Sequence, residues 1–144
     1  MGTSYQDIIN NFIKMVKEYK FLKLSEEQRD DWVLELLNSA CSKFYKKCGN
    51  DLTTRVEGGF EATLTDDEID ILCNLMVVEW FKPYLFSVEN FENVMTTKDY
   101  SMYSPANILK EIKNAYKVAD YNAKRLMTDY TYTLRNKKRG KMYD

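Results

Sequence analysis

Apolar residues recur with the period of an α-helix in four stretches of this chain. From Ser4 to about Lys20, Ile8, Ile9, Phe12, Met15, Val16 and Tyr19 fall on one face. Ser4 is placed to cap this helix, with Asp7 three residues on. The second stretch opens at Ser25-Glu26-Glu27-Gln28, a capping box. Its stripe is Trp32, Val33, Leu36, Leu37, Ala40, Cys41 and Phe44. Lys43, Lys46 and Lys47 suit its negative C-terminal pole, and Gly49 supplies a stop. Thr65-Asp66-Asp67-Glu68 is a second capping box, followed by Ile69, Leu72, Cys73, Met76, Val77, Trp80 and Phe81. That stripe is wide, which predicts the most buried helix, and Pro83 is expected to end or kink it.

Ser104-Pro105 opens the last helix, with serine at the cap and proline in the first turn. No glycine or proline follows until Gly140. Leu109, Ile112, Tyr116, Ala119, Ala123, Leu126 and Tyr130 alternate in steps of three and four, a heptad seam. A helix from Pro105 to about Leu134 would be roughly 45 Å long. That exceeds what a bundle of this size needs, so the excess suits either an interface or a long packing helix of the bundle.

Two stretches break the helical period. Between Asp51 and Leu64, Val56-Glu57-Gly58-Gly59-Phe60 fits a small β-hairpin or an irregular loop. From Ser87 to Tyr103 no period is sustained, and the segment is long for a connection in a small domain. Its apolar residues Phe91, Met95, Tyr100, Met102 and Tyr103 suggest that it packs on something, such as a neighbouring subunit.

These patterns predict an all-α fold. It is a small bundle of about four helices with a long C-terminal helix, a hairpin option near 52–64 and an extended C-terminal tail. Trp32, Leu36, Leu72, Met76, Trp80, Leu109, Ile112 and Leu126 are the expected core. Residues 1–134 form the helical domain and 135–144 the tail.

Charge sharpens this division. Residues 135–144 carry Arg135, Lys137, Lys138, Arg139 and Lys141 against Asp144 alone, leaving 16 basic and 21 acidic residues elsewhere. A basic tail on an acidic body points to docking on something acidic, with a solvated, frayed terminus as the alternative. Met142 and Tyr143 add apolar anchors for such docking. Aromatic residues make up 14% of the chain, mostly tyrosine, which suits a half-buried interface or a core rim.

Little in the chain points to catalysis. It has no histidine, which removes the usual general base and metal nitrogen ligand. Cys41, Cys48 and Cys73 form no CxxC pair. Cys41 and Cys48, two helical turns or roughly 10 Å apart, are too distant to bridge. The three thiols read as reduced. Asp66, Asp67, Glu68 and Asp70 look like a cation cluster but suit the positive pole of a helix better. No phosphate loop, dinucleotide fingerprint or calcium loop is present. We therefore expect neither enzymatic activity nor a cofactor or metal. No apolar h-region follows Met1-Gly2-Thr3-Ser4-Tyr5, and the apolar stretch around Leu75–Trp80 is far too short to span a bilayer. No membrane association is expected.

Three stretches carry a resemblance. The first is Phe21-Leu22-Lys23-Leu24-Ser25-Glu26-Glu27 leading into Leu34-Glu35-Leu36-Leu37-Asn38-Ser39-Ala40. The second is Leu64-Thr65-Asp66-Asp67-Glu68-Ile69, continuing to Met76-Val77-Val78-Glu79-Trp80-Phe81-Lys82-Pro83. The third is Lys98-Asp99-Tyr100-Ser101-Met102-Tyr103-Ser104-Pro105-Ala106-Asn107, followed by a long helix ending near Tyr130-Thr131-Tyr132. Over most of residues 20–134 the chain resembles head–tail connector proteins of tailed bacteriophages, the head-completion or adaptor type of Gram-positive phages and prophages.

The resemblance implies a structural protein of the virion neck, assembled in the host bacterial cytoplasm. It implies a homo-oligomeric ring, usually twelvefold, beneath the portal protein. One side would receive the next neck or tail-completion protein, and packaged DNA would pass through the channel without specific binding. The tail, Arg135 to Asp144, takes the portal-docking position, and the loop from Glu89 to Tyr103 takes a subunit-contact position. Val56–Leu64 matches no fixed feature of the family. Ring contacts are heterologous, an acidic wall lets DNA slide, and weak tails gain strength through multivalency. Two other readings fit the residues. The seam could pair with a partner helix in an interaction or regulatory module, giving a dimer. The tail could bind nucleic acid with a steep salt dependence.

Overall fold

The Asp66–Phe86 stretch, apolar almost all round, forms the centre of the molecule. A computed structural model describes residues 2–16, 29–86 and 105–143. Among these residues the elements are α1 (Tyr5–Val16), α2 (Arg29–Phe44), β1 (Arg55–Val56), β2 (Gly59–Phe60), α3 (Asp66–Phe86) and α4 (Pro105–Tyr143). The predicted helical bundle with a small hairpin and a long last helix is what the chain forms. Helix α3 packs against α1, α2 and α4. No helix among the described residues is long and apolar enough to cross a membrane.

The helical stripes meet on α3. Ile8, Phe12 and Val16 of α1 are buried as their spacing predicts, and so are Val33, Leu36, Leu37, Ala40, Cys41 and Phe44 of α2. On α3, Ile71, Leu72, Leu75, Met76, Val78, Trp80 and Phe81 are all buried, which covers more than one face. The Trp80 indole is fully enclosed, with Phe12 edge-on at 6.5 Å and Phe81 at 5.1 Å. Of the expected core, Leu36, Leu72, Met76, Trp80 and Ile112 are buried. Trp32 and Leu126 pack against the core only partly buried, because each sits at the edge of its stripe. The Leu109 side chain lies outside those described.

Helix α4 lays its seam into the bundle: Ile112, Ala119 and Ala123 are buried, while Tyr116, Leu126 and Tyr130 border the core. It runs antiparallel to α3. Tyr116 lies near Lys82 at the end of α3, and Tyr130 reaches Glu68 at its start. Ala119 and Ala123 place small side chains on the buried face of α4.

The structure departs from the sequence reading at three boundaries. First, α4 does not give way to an extended tail after Leu134 but continues through Gly140 to Tyr143. A glycine within a helix costs only about 1 kcal/mol, and Lys and Arg are good helix formers that complement the C-terminal pole. The boundary placed between 134 and 135 therefore falls inside one helix. Second, α3 continues past Pro83 to Phe86. The proline removes one hydrogen bond in the last turn and lies on the exposed surface, where the loss is smallest. Third, α2 ends at Phe44 and leaves through a turn in which Cys48 N–H donates to Phe44 C=O at 3.0 Å. Gly49 is not its C-terminal stop. The expected end of α1 near Lys20 and the expected start of α2 at Ser25 lie outside the described residues.

The hairpin is the smaller alternative for 51–64 made real. Arg55 pairs with Phe60 and Val56 with Gly59, antiparallel. Gly58 takes φ +78°, the sign that the second central position of a type II turn requires. The segment before α1 adds to the hairpin edge. Ser4 bridges Gly59, Phe60 N–H donates to Thr3 C=O at 2.8 Å, and Thr3 N–H donates to Ala62 C=O at 3.1 Å. A side chain on Gly59 would lie 2.4 Å from the Thr3 carbonyl oxygen, so only glycine admits this contact. Arg55 closes the corner from above. Its guanidinium lies 4.4 Å over the Phe60 ring and donates to Tyr5 OH at 3.0 Å.

Candidate functional site

The feature most open to function is α4, because it outruns the bundle. At 1.5 Å per residue its 39 residues extend roughly 58 Å, against roughly 31 Å for the 21 of α3. What holds such a helix in place is a buried carboxylate.

Glu68 is 1% exposed and accepts four hydrogen bonds. The Thr65 N–H donates to Oε1 at 2.8 Å, and Glu68 N–H donates back to Thr65 Oγ1 at 3.2 Å, which completes the capping box read from the sequence. Asn50 Nδ2 donates to Oε1 at 2.6 Å. Tyr130 OH donates to Oε2 at 2.7 Å, and Cys48 Sγ donates to the same oxygen at 3.2 Å. The Tyr130 hydroxyl in turn accepts from Gly49 N–H at 2.7 Å. One side chain thus ties the start of α3, the turn after α2 and the last third of α4 together. The Tyr130 ring also packs edge-on against Phe44 at 5.3 Å.

Electrostatics follow from this geometry. Burial pushes the Glu68 pKa up, but the hydrogen bonds from Thr65, Tyr130, Asn50 and Cys48 outweigh it and hold the carboxyl below its ordinary value. Burial, reinforced by Glu68, pushes the Cys48 thiol up to about 12. Burial and the Glu68 carboxylate likewise hold the Tyr130 phenol above its ordinary value. The cluster is one anion among neutral donors. Its lone pairs are occupied and its thiol is protonated, so it is built to hold and not to react.

Other polar clusters have the same character. Glu79 on α3 is bridged by Lys43 from α2 and by Lys82 at 2.8 Å. Burial works against its charge, but the two lysines hold its pKa down. Asp51 accepts from the N–H and hydroxyl groups of Thr53 and Thr54, which keep its carboxyl well below the usual range and shape the turn before β1. A shallow cavity of about 410 Å³ between α1 and α3 is lined by Asn11, Lys14, Met15, Asp66, Ile69, Asp70 and Cys73. Burial, reinforced by Asp70, pushes the Cys73 thiol to about 12, so it offers no nucleophile there. Among the described residues no group of three or more Cys, Asp or Glu side chains is arranged to hold a metal. Asp66 and Asp67 stand in the first turn of α3, where they favour its positive pole.

The predicted docking residues lie on the far end of α4. Leu134 is half-buried beside Gly49, while Arg135, Asn136 and Lys137 are exposed. Lys138, Arg139, Lys141, Met142 and Tyr143 continue the same helix, and their side chains lie outside those described. The predicted docking segment is therefore helical and adds roughly 13 Å beyond Leu134, where the sequence suggested an extended peptide. The expected subunit-contact residues Phe91, Met95, Tyr100, Met102 and Tyr103 lie outside the described residues.

Sequence reasoning found the Thr65–Glu68 box but missed the network around it. The box spacing signals only the local pair. No spacing signals that Tyr130, 62 residues on, and Asn50, 18 residues back, converge on one carboxylate. Comparisons with protein-family models, with curated proteins and with solved structures find no match for this chain.

Proposed function

We propose that this protein is a non-enzymatic structural component of a phage virion, a head–tail connector that forms a ring beneath the portal. In this reading it closes the DNA-filled head and offers a docking surface to the neck. The observation that carries the reading is the projecting basic end of α4. A helix fixed at Tyr130, exposed at Arg135, Asn136 and Lys137 and continuing to Tyr143 is suited to reach a second protein while the bundle stays intact. The three stretches that resemble connector proteins favour the portal as that second protein. Repetition around a ring would turn a weak single contact into firm attachment. Packaged DNA would pass without a base-specific site.

The interaction-module reading is less favoured. It needs a free seam for a partner helix, but Ile112, Ala119 and Ala123 are already enclosed within the chain.

Removing residues 135–144 tests the proposal. The truncated chain should keep its helical circular-dichroism spectrum and urea midpoint, because Tyr130 and Leu134 remain. It should no longer co-sediment with portal rings. Unchanged co-sedimentation would refute the assignment of this end to portal docking.

A further inference from the structure

The outward face of α4 carries a second pattern, opposite the buried seam. Lys110, Asn114, Lys117, Tyr121, Arg125, Thr128, Tyr132 and Arg135 recur in steps of three and four, and all eight are exposed. They form one straight stripe with basic or aromatic residues at six positions and no acid. Tyr121 and Tyr132 are 66% and 62% exposed, unusual for such large rings. The three acids of the helix, Glu111, Asp120 and Asp129, fall off this line, and Asp120 is paired with Lys124 at 2.9 Å. Among the described residues no carboxylate pairs with Lys110, Lys117, Arg125 or Arg135. Helix α4 holds ten basic and three acidic residues, and the remainder of the chain holds 11 basic and 19 acidic. Positive charge is thus gathered on one helix of an otherwise acidic protein.

We infer that this face of α4 binds the phosphate backbone of duplex nucleic acid, without sequence preference. From Lys110 to Arg135 the stripe runs roughly 38 Å, the length of about 11 base pairs. The basic positions recur seven to ten residues apart, so each can meet a phosphate. Tyrosine hydroxyls between them are suitable phosphate donors. The acidic remainder of the chain repels a polyanion and confines it to this face. An acidic protein surface is the rival occupant, but it offers no comparable line of charge at this length. The inference does not rest on the connector reading, since a ring with an acidic channel could carry this face elsewhere on its surface.

The test is fluorescence anisotropy of the full chain with a labelled duplex of about 20 base pairs of arbitrary sequence. Four phosphate contacts predict a roughly 100-fold weaker affinity between about 50 and about 200 mM salt. The double variant K117E/R125E should bind at least tenfold more weakly with an unchanged urea midpoint. Two further phosphate contacts disappear in Y121F/Y132F, which should weaken binding by a few fold. The chain lacking residues 135–144 should still bind, because Lys110 to Arg125 remain. No binding at low salt, or full binding by K117E/R125E, overturns the inference. So does salt-sensitive self-association in sedimentation velocity that is lost in K117E/R125E, because the face would then be taken by the acidic body of a second copy. Portal co-sedimentation of K117E/R125E should be unchanged, which separates this result from the connector proposal.

Discussion

Replacing Tyr130 by phenylalanine removes one oxygen and tests what anchors α4. The ring keeps its edge-on contact with Phe44, so packing is conserved. Two hydrogen bonds disappear. One is the donation to the buried Glu68 carboxylate, and the other is the donation from Gly49 N–H, each 2.7 Å long. A hydrogen bond to a buried charge contributes about 1.5–3 kcal/mol, whereas exposed Gly49 can turn to water at little loss. The variant should therefore lose about 2–3 kcal/mol in urea titration, and its melting temperature should fall by roughly 6–10 °C. Acid sensitivity should change with it. Because the Glu68 pKa is lowered in the fold, its contribution is present above the unfolded carboxyl value and is lost as pH falls through the folded one. Without the Tyr130 donor the folded pKa rises, and less stability remains for acid to remove. The reasoning fails if Y130F loses under 0.5 kcal/mol, or if Y130F and E68Q prove additive, since partners in one hydrogen-bond network must couple.

Three other perturbations probe separate parts of the fold. Trp80→Ala empties the centre of the core and should cost about 3–5 kcal/mol; a fully folded variant with an unchanged midpoint would contradict the burial of Trp80 against Phe12 and Phe81. Gly59→Ala forces the Thr3 carbonyl away and should destabilise by about 1–3 kcal/mol, with faster amide exchange at Phe60; unchanged exchange would count against that contact. The Cys48 thiol, raised to about 12 in the fold, stays neutral where an unfolded thiol ionises near pH 8.5. Its contribution is complete below that pH and fades as pH climbs towards 12, so C48A should flatten the alkaline fall of the urea midpoint; parallel curves would refute this.

Local rules explain what was legible in the sequence. Caps and apolar periods depend on neighbours three or four residues away, so Ser4 and the Thr65–Glu68 box could be read directly. Asp7 N–H does donate to Ser4 Oγ at 3.2 Å. The stripe of α3 gave its central position, because a helix apolar nearly all round can only be enclosed. The seam of α4 was legible as a seam, but spacing alone does not say whether the partner is another chain or the rest of the same one. Chain stops were read less well. Gly140 reads as a stop and Pro83 as a stop or kink, yet a helix tolerates a glycine, and a proline in an exposed last turn, at modest loss. Least legible was the Glu68 cluster, whose members Asn50, Cys48 and Tyr130 converge only through the bundle's topology. The outward basic stripe of α4 was hidden for a related reason. The direction of a helix face is defined only once the buried face is known.

We propose that the basic end of α4 seats this chain on a portal. Electron microscopy of purified portal rings mixed with excess protein tests it most directly. Added ring density is expected on one face of the portal, with rod-like density for α4 entering the portal wall. Bare portals at saturating protein, or density in which the α4 ends point away from the portal, would contradict it.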